Sequence, residues 1–488
     1  MNAEEMKDAQ SISGLDAAPA AADADATEAD VSEADLDQEE QEKQPMTAGG
    51  EGPVEAPPEG GEEVEAEKNG SVKLKILDEA EETFTGLNKE ELLRVAGTPG
   101  FSILEGLEQK MDSLSQLKVK GLVVGPIHVA PPDEAMSLRF EEISDDAGYL
   151  DQFRGVLQAA HSKDISVVLD LTPNYRGSSG PWFSSNSMTN VAERLKSALV
   201  FWLNEGVDGV QLSGVEQLAN AAPSLWADIR AIIQNGTDMD PKRGSKRLLL
   251  GVTESSSAEY VSALLSSTGV DLLISNVLTS GDPEPSRYAD TIQTLYSNVS
   301  QERLTWNLGG RVEGHLASLV TQAHVRLYQL LLMTLPGTPV FNYGDEIGLM
   351  DGDSKFPKML WDFEEELNGT LQEDQKERLS LRNFFCSVSE LRAKTRSLLY
   401  GDFSLLSNSS SSLVYLRVWD QNDRYLAVFN WGTEEEAALR MNHAALPPHA
   451  TVALSTNGSA LPEGSSVDLM SLRLGPGQAA LLKLPYSG

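Results

Sequence analysis

The chain has 488 residues, 40% of them hydrophobic, enough for a large buried core and too many for one average domain. Its formal charge of −36 is unevenly spread, because residues 1–100 hold 27 Asp+Glu against 7 Lys+Arg. Such a balance repels nucleic acid and anionic lipid surfaces, and no basic, aromatic-interleaved patch reverses it locally, so no nucleic-acid partner is expected.

The N-terminus, MNAEEMKDAQ, has neither a basic region nor an apolar core and does not read as a signal peptide. Residues 1–83 are rich in Ala, Glu, Asp and Pro and nearly lack aromatics, so they cannot bury enough surface to offset ordering entropy; a disordered acidic tail is expected. From Phe101 the texture changes to short apolar runs alternating with amphipathic stretches, the signature of βα units around a parallel sheet. Strands are expected at 121–127, 165–173, 206–212, 247–254, 270–277, 303–309 and 338–344, with helices such as YLDQFRGVLQAAHSK and VAERLKSALVFWLNEG between them. The size and order predict a (β/α)8 TIM-type barrel over residues 101–398, yet only seven strands can be found. Over residues 399–488 the helical period disappears, and FSLLS, SLVYLRVW, RYLAVFNW, EAALRM, TVALS and AALLKL predict an antiparallel β-sandwich.

No window reaches the roughly 18–20 apolar residues of a spanning helix; LYQLLLMTLPGTPVF is short and broken by prolines. The single cysteine, Cys386, lies in the helical run LRNFFCSV and reads as a small buried hydrophobe that can form no intrachain disulfide. Read literally, the chain is soluble and cytosolic. Past residue 100, five Asn-X-Ser/Thr sequons, at Asn235, Asn298, Asn368, Asn408 and Asn457, point instead to passage through the secretory route.

Barrel chemistry sits at the C-terminal ends of the strands. The second expected strand ends LDLTPNYR, the last reads LPGTPVFNYGDEIGL, and MLWD follows at 359–362. These stretches resemble the α-amylase family, glycoside hydrolase family 13, whose first motif is Asp-x-x-x-Asn-His and whose last strand carries a GTP-x-x-Y-x-G-E/D-E-I-G pattern. The resemblance implies an Arg and a nucleophilic Asp at the end of the fourth barrel strand, but GVDGVQLSG puts Gln211 and Ser213 there. A retaining glycosidase needs a carboxylate nucleophile facing a carboxylic acid, and Ser213 has no histidine in a triad context to activate it. The acid Glu of the family falls near Thr253, with Glu254 one position along; RLTWNLGGR lacks the His-Asp that follows Asn in the enzymes; Tyr175 replaces the first motif's His. Asp170 and Asn174 remain and read as residues that fix a strand-to-loop turn. Losing a nucleophile alone costs about 10⁴ to 10⁶ in rate, so the chain is expected not to be an enzyme and to need no metal or cofactor.

FTGLNKEELLRVAGTPG (84–100), LKVKGLVVGPIH, VLDLTPNYRG, LPGTPVFNYGDEIGL and LYGDFSLLS further resemble the catalytically dead branch of that family, the heavy chains of heteromeric amino-acid transporters. The resemblance implies a type II plasma-membrane glycoprotein, with 84–100 a cytosolic juxtamembrane segment and the barrel extracellular. It also implies a subunit that escorts a light-chain transporter, with integrins as further partners. Such chains carry a membrane helix, a neck cysteine and the first barrel strand after the VAGTPG-like stretch; here Gly100 runs straight into FSILEGLEQKMDSLSQL. The sequence is therefore expected to be a splice product or gene model lacking one internal segment, and the barrel to carry two unpaired edges or a strained closure. Two other readings compete. A soluble truncated form acting as a binding or adhesion partner would be cytosolic and unglycosylated by fractionation. A glycosidase with relocated groups would turn over an aryl glucoside in a manner abolished by Glu254→Gln.

Overall fold

A computed structural model describes residues 102–131, 134–174, 185–234, 247–279, 285–361, 372–443 and 446–486. The tail expected over 1–83, the segment 84–100, and Tyr175, Asn235 and Asn368 lie outside the described residues. The described chain begins with two short helices, α1 (Ile103–Gln109) and α2 (Met111–Gln116), and then enters β1 (Gly121–Val124). A hairpin, β2 (His128–Val129) and β3 (Arg139–Ile143), follows. Alternation then sets in: α3 (Leu150–Ser162), β4 (Ser166–Asp170), α4 (Ser185–Glu205), β5 (Gly209–Ser213), α5 (Val215–Ala221), α6 (Pro223–Gln234), β6 (Leu248–Val252), α7 (Ala258–Thr268) and β7 (Leu272–Ile274). Next come α8 (Pro285–Asn298), β8 (Thr305–Trp306), α9 (Leu316–Leu319), α10 (Val325–Thr334), β9 (Thr338–Pro339), α11 (Glu373–Lys394) and α12 (Arg396–Leu399).

All seven expected barrel strands are present. β1, β4, β5, β6 and β7 form one parallel sheet in chain order, and β8 pairs in parallel with β9. The Thr305 hydroxyl donates to the Leu273 carbonyl and carries the arc from β7 to β8. The apolar runs face helices outside and neighbouring strands inside, so Val167, Leu169, Val210, Leu212 and Leu249 are fully buried. Gly209 is required by this packing: a Cβ there would sit 2.5 Å from the Leu248 carbonyl oxygen. At the N-terminal rim, Asp208 Oδ2 accepts the Val167 amide (2.7 Å) and faces His161 Nε2 (2.7 Å), which fixes where β5 starts beside β4.

No ladder joins β9 to β1 among the described residues, so the strained closure expected for a seven-stranded barrel is not formed between them. Val123 on β1 is 38% exposed, whereas Val167 and Val210 on the inner strands are fully buried. The helical layer nevertheless continues across the gap. Arg382 on α11 donates to Ser113 Oγ (3.1 Å) and Gln116 Oε1 (3.0 Å) on and beside α2, and the Ser389 hydroxyl donates to the Leu117 carbonyl (2.7 Å).

The C-terminal strands are β10 (Asp402–Asn408), β11 (Ser412–Val418), β12 (Arg424–Asn430), β13 (Ala437–Leu439), β14 (His449–Ser455), β15 (Ser466–Asp468), β16 (Leu472–Leu474) and β17 (Ala479–Leu484). Six run antiparallel in the order β10-β11-β12-β17-β14-β15, and β13 pairs with β16. The short strands β15 and β16 escape a reading by hydrophobic alternation because three residues give no period. Alternation elsewhere sorts two faces: Tyr415, Ala427, Phe429 and Leu481 pack into the barrel's core, while Val414, Leu416, Val428 and Leu482 pack with Leu472 and Leu474 of β16. Trp431 joins Tyr288 and Tyr328 in an aromatic cluster with ring centroids 5.9 Å apart.

Candidate functional site

The strand ends place Asp170, Gln211 and Ser213 on one face, because Asp170 pairs with Gln211 across the β4–β5 ladder and Ser213 lies two residues on. Gln211 Nε2 donates to Asp170 Oδ2 at 2.9 Å, and Asp170 Oδ1 accepts the Thr172 amide at 2.9 Å. The amide of Ser213 in turn donates to the Thr172 hydroxyl (2.9 Å). Asp170 is 2% exposed and both of its oxygens are engaged within the chain. Asn174 is buried beside it in the fold of the same loop.

At the end of β6, Thr253 is buried and donates its hydroxyl to Glu216 Oε1 at 3.4 Å. Glu216 stands in the first turn of α5, and burial raises its carboxyl above the usual range. Glu254 is likewise raised, first by partial desolvation and then by the like charges of Glu313 and Glu216. Glu313 accepts a hydrogen bond from Asn276 Nδ2 (2.5 Å). The face thus sets Glu254 near Glu216 and Glu313, whose charges oppose its ionisation and which carry no signal in the sequence. No group of three or more His, Cys, Asp or Glu is placed to hold a metal ion among the described residues.

The GDEIGL stretch turns inward as a short helical turn. Burial pushes Asp345 up to about 8 and Glu346 up to about 7. Asp345 receives the amides of Leu316 (2.9 Å) and Asn342 (2.8 Å), and so ties the loop after β9 to the start of α9. A His–Asp pair does form nearby, from residues 36 apart: His315 Nδ1 meets Asp351 Oδ1 at 2.6 Å, with the His315 ring fully buried and edge-on to Tyr343 at 4.8 Å. It pins two loops together. Asn307, at the end of β8, turns its amide to the Gly309 carbonyl (3.2 Å) instead.

Among the sequons, Asn298 and Asn408 are exposed at the ends of α8 and β10, and Asn457 folds its Oδ1 onto the amides of Ser459 (3.2 Å) and Ala460 (3.3 Å). Cys386 is half-buried on α11, and burial raises its thiol. No helix among the described residues is long and apolar enough to cross a membrane.

A barrel of α-amylase type followed by a β-sandwich, with an amide and hydroxyls at its strand ends, defines the class of the protein. The α-amylase catalytic-domain model matches residues 94–194. The chain overlays an Anoxybacillus α-amylase with a TM-score of 0.62 at 17% identity, covering 84% of this chain and 95% of that one. It is 38% identical to the amino acid transporter heavy chain SLC3A2 of Oryctolagus cuniculus over 529 residues, covering 92% of this chain and 96% of the relative. The rat SLC3A2 heavy chain is 34% identical with the same coverage. The chain belongs to the amino acid transporter heavy chain family. The 529-residue alignment is longer than the 488-residue chain, so it opens internal gaps in it.

Proposed function

We propose that this chain is a non-catalytic heavy subunit that escorts a light-chain amino-acid transporter to the plasma membrane and stabilises it there, with the barrel (101–398) and sandwich (399–488) on the extracellular face. What carries the reading is similarity to SLC3A2 heavy chains along nearly the whole chain, joined to neutral side chains at Gln211, Ser213 and Thr253. Asp170 and Asp345, the acidic residues retained from the enzyme pattern, serve backbone amides and a side-chain amide. With its lone cysteine half-buried on α11, the chain is expected to hold its partner without a disulfide. Co-expression with a light chain tests this: surface biotinylation of the light chain should rise with the heavy subunit present, and unchanged surface delivery refutes the role. Non-catalysis is tested separately with an aryl glucoside, where turnover abolished by Glu254→Gln refutes it.

A second reading is a soluble variant that serves as a binding or adhesion partner, with integrins among the candidates. It is favoured by the internal gaps that the alignment opens in a chain without a recognisable spanning stretch. Fractionation decides between the two, since a wholly cytosolic, unglycosylated product escorts nothing at the cell surface.

A further inference from the structure

A groove of about 600 Å³ runs between the first turn of α7 and one face of α8. Ser256, Ser257 and Glu259 line its α7 side, and Arg287, Asp290, Thr291 and Thr294 line its α8 side. The helical repeat explains the second set: positions 287, 290, 291 and 294 fall on one face of α8, turned away from the core face of Tyr288, Ile292 and Leu295. The same face carries Asn298, the last residue of the helix and the asparagine of the sequon Asn298-Val299-Ser300.

The side chain of Asn298 is aimed at this groove. Side chains on a helix lean toward its N-terminus, and Asn298 Nδ2 donates to the Thr294 carbonyl at 2.8 Å, one turn back and at the edge of the groove. Nδ2 is the atom to which an N-glycan is joined, so the first sugar leaves the helix on the groove side. From Ser286 to Thr294 the groove follows eight helical steps, about 12 Å, enough for the first two sugar rings. The Ser257 hydroxyl is committed to the Tyr260 amide (3.2 Å) and the Glu259 carboxylate (2.9 Å), so the α8 side supplies the contacts. There the Asp290 carboxylate accepts from sugar hydroxyls, and the Thr291 and Thr294 hydroxyls donate to or accept from hydroxyl and N-acetyl groups. Two carboxylates, Glu259 and Asp290, against the one guanidinium of Arg287 leave the groove net negative, which favours neutral core sugars over sialylated or phosphorylated ends. We propose that Asn298 carries a glycan whose first two sugars lie in this groove against Asp290, Thr291 and Thr294. The proposal rests on the extracellular placement of the barrel, since only a chain that enters the secretory route is glycosylated there.

The test uses the full chain expressed in animal cells together with a light chain. It compares release of the Asn298 glycan with release of the glycan at Asn408, which is exposed at the end of β10 and does not line the groove. Peptide-N-glycosidase acting on the folded chain should free the Asn298 glycan about tenfold more slowly, the effect of one or two net hydrogen bonds, and the difference should vanish on denaturation. Asp290→Ala with Thr291→Val leaves the sequon intact and should bring Asn298 to the Asn408 rate. Ser256→Trp, which fills the groove from the α7 side without altering α8, should also speed release. Equal rates in the unaltered folded chain overturn the proposal, as does slow release that persists in these variants or in the denatured chain. An unglycosylated Asn298 beside a glycosylated Asn408 overturns the groove proposal alone, whereas a chain with no glycan at any sequon overturns the extracellular placement with it.

Discussion

The junction between barrel and sandwich rests on two buried arginines. Arg417 on β11 is fully buried, and its guanidinium donates to the Thr334 carbonyl (2.6 Å) and the Gly401 carbonyl (2.9 Å). Arg392 on α11 serves the carbonyls of Met333 (2.6 Å) and Leu335 (3.2 Å) beside it. Both cations therefore sit on the C-terminal end of α10, where the last carbonyls have no intrahelical partner and the helix dipole is negative. Replacing Arg417 with Met removes hydrogen bonds of a charged group to two buried carbonyls, together about 3–6 kcal/mol. Against this, burial and the neighbouring Arg392 lower the Arg417 guanidinium to about 10, a depression from 12.5 that corresponds to about 3 kcal/mol of desolvation and repulsion relieved by the change. The net expectation is a loss of about 0–3 kcal/mol for Arg417→Met. Because Arg392 lowers Arg417, the double change with Arg392→Met should cost less than the two single losses added. Urea titrations followed by tryptophan fluorescence measure all four corners of the cycle. An Arg417→Met variant clearly more stable than the parent would refute the reasoning, since it would mean that carbonyls at this helix end do not offset the burial of a cation.

Three further outcomes are expected. Glu346 holds its proton to about pH 7 in the folded chain against 4.5 when free, so the folded state binds more protons between those values and the stability from this group falls as pH rises through that window. Glu346→Gln should flatten the pH dependence of the urea midpoint between pH 4.5 and 7 by up to about 3 kcal/mol, and identical curves for variant and parent would contradict it. The double change Gln211→Arg and Ser213→Asp should create no hydrolase of aryl glucosides, because Thr253 still occupies the end of β6 and Asn307 folds back on its own loop; turnover would mean that the strand ends are differently aligned with the enzymes. If the barrel reaches the secretory lumen, Asn298→Gln and Asn408→Gln should each remove one glycosidase-sensitive mobility step, as both asparagines are exposed.

The barrel was legible because its parallel strands are near-continuous apolar runs, and GLVV, SVVLD and LLLGV stand out from the amphipathic stretches between them. The sandwich was legible from the loss of helical period and from seven-residue apolar runs such as β11 and β12 set between turns, and not where β15 and β16 shrink to three residues. The strand-end residues Gln211, Ser213 and Thr253 could be located from motif order alone, but not what they do: that Asp170 is held by Gln211 and Thr172 needs the register of β4 against β5. His315 and Asp351, or Glu254 with Glu216 and Glu313, meet only through tertiary folding and leave no spacing to read.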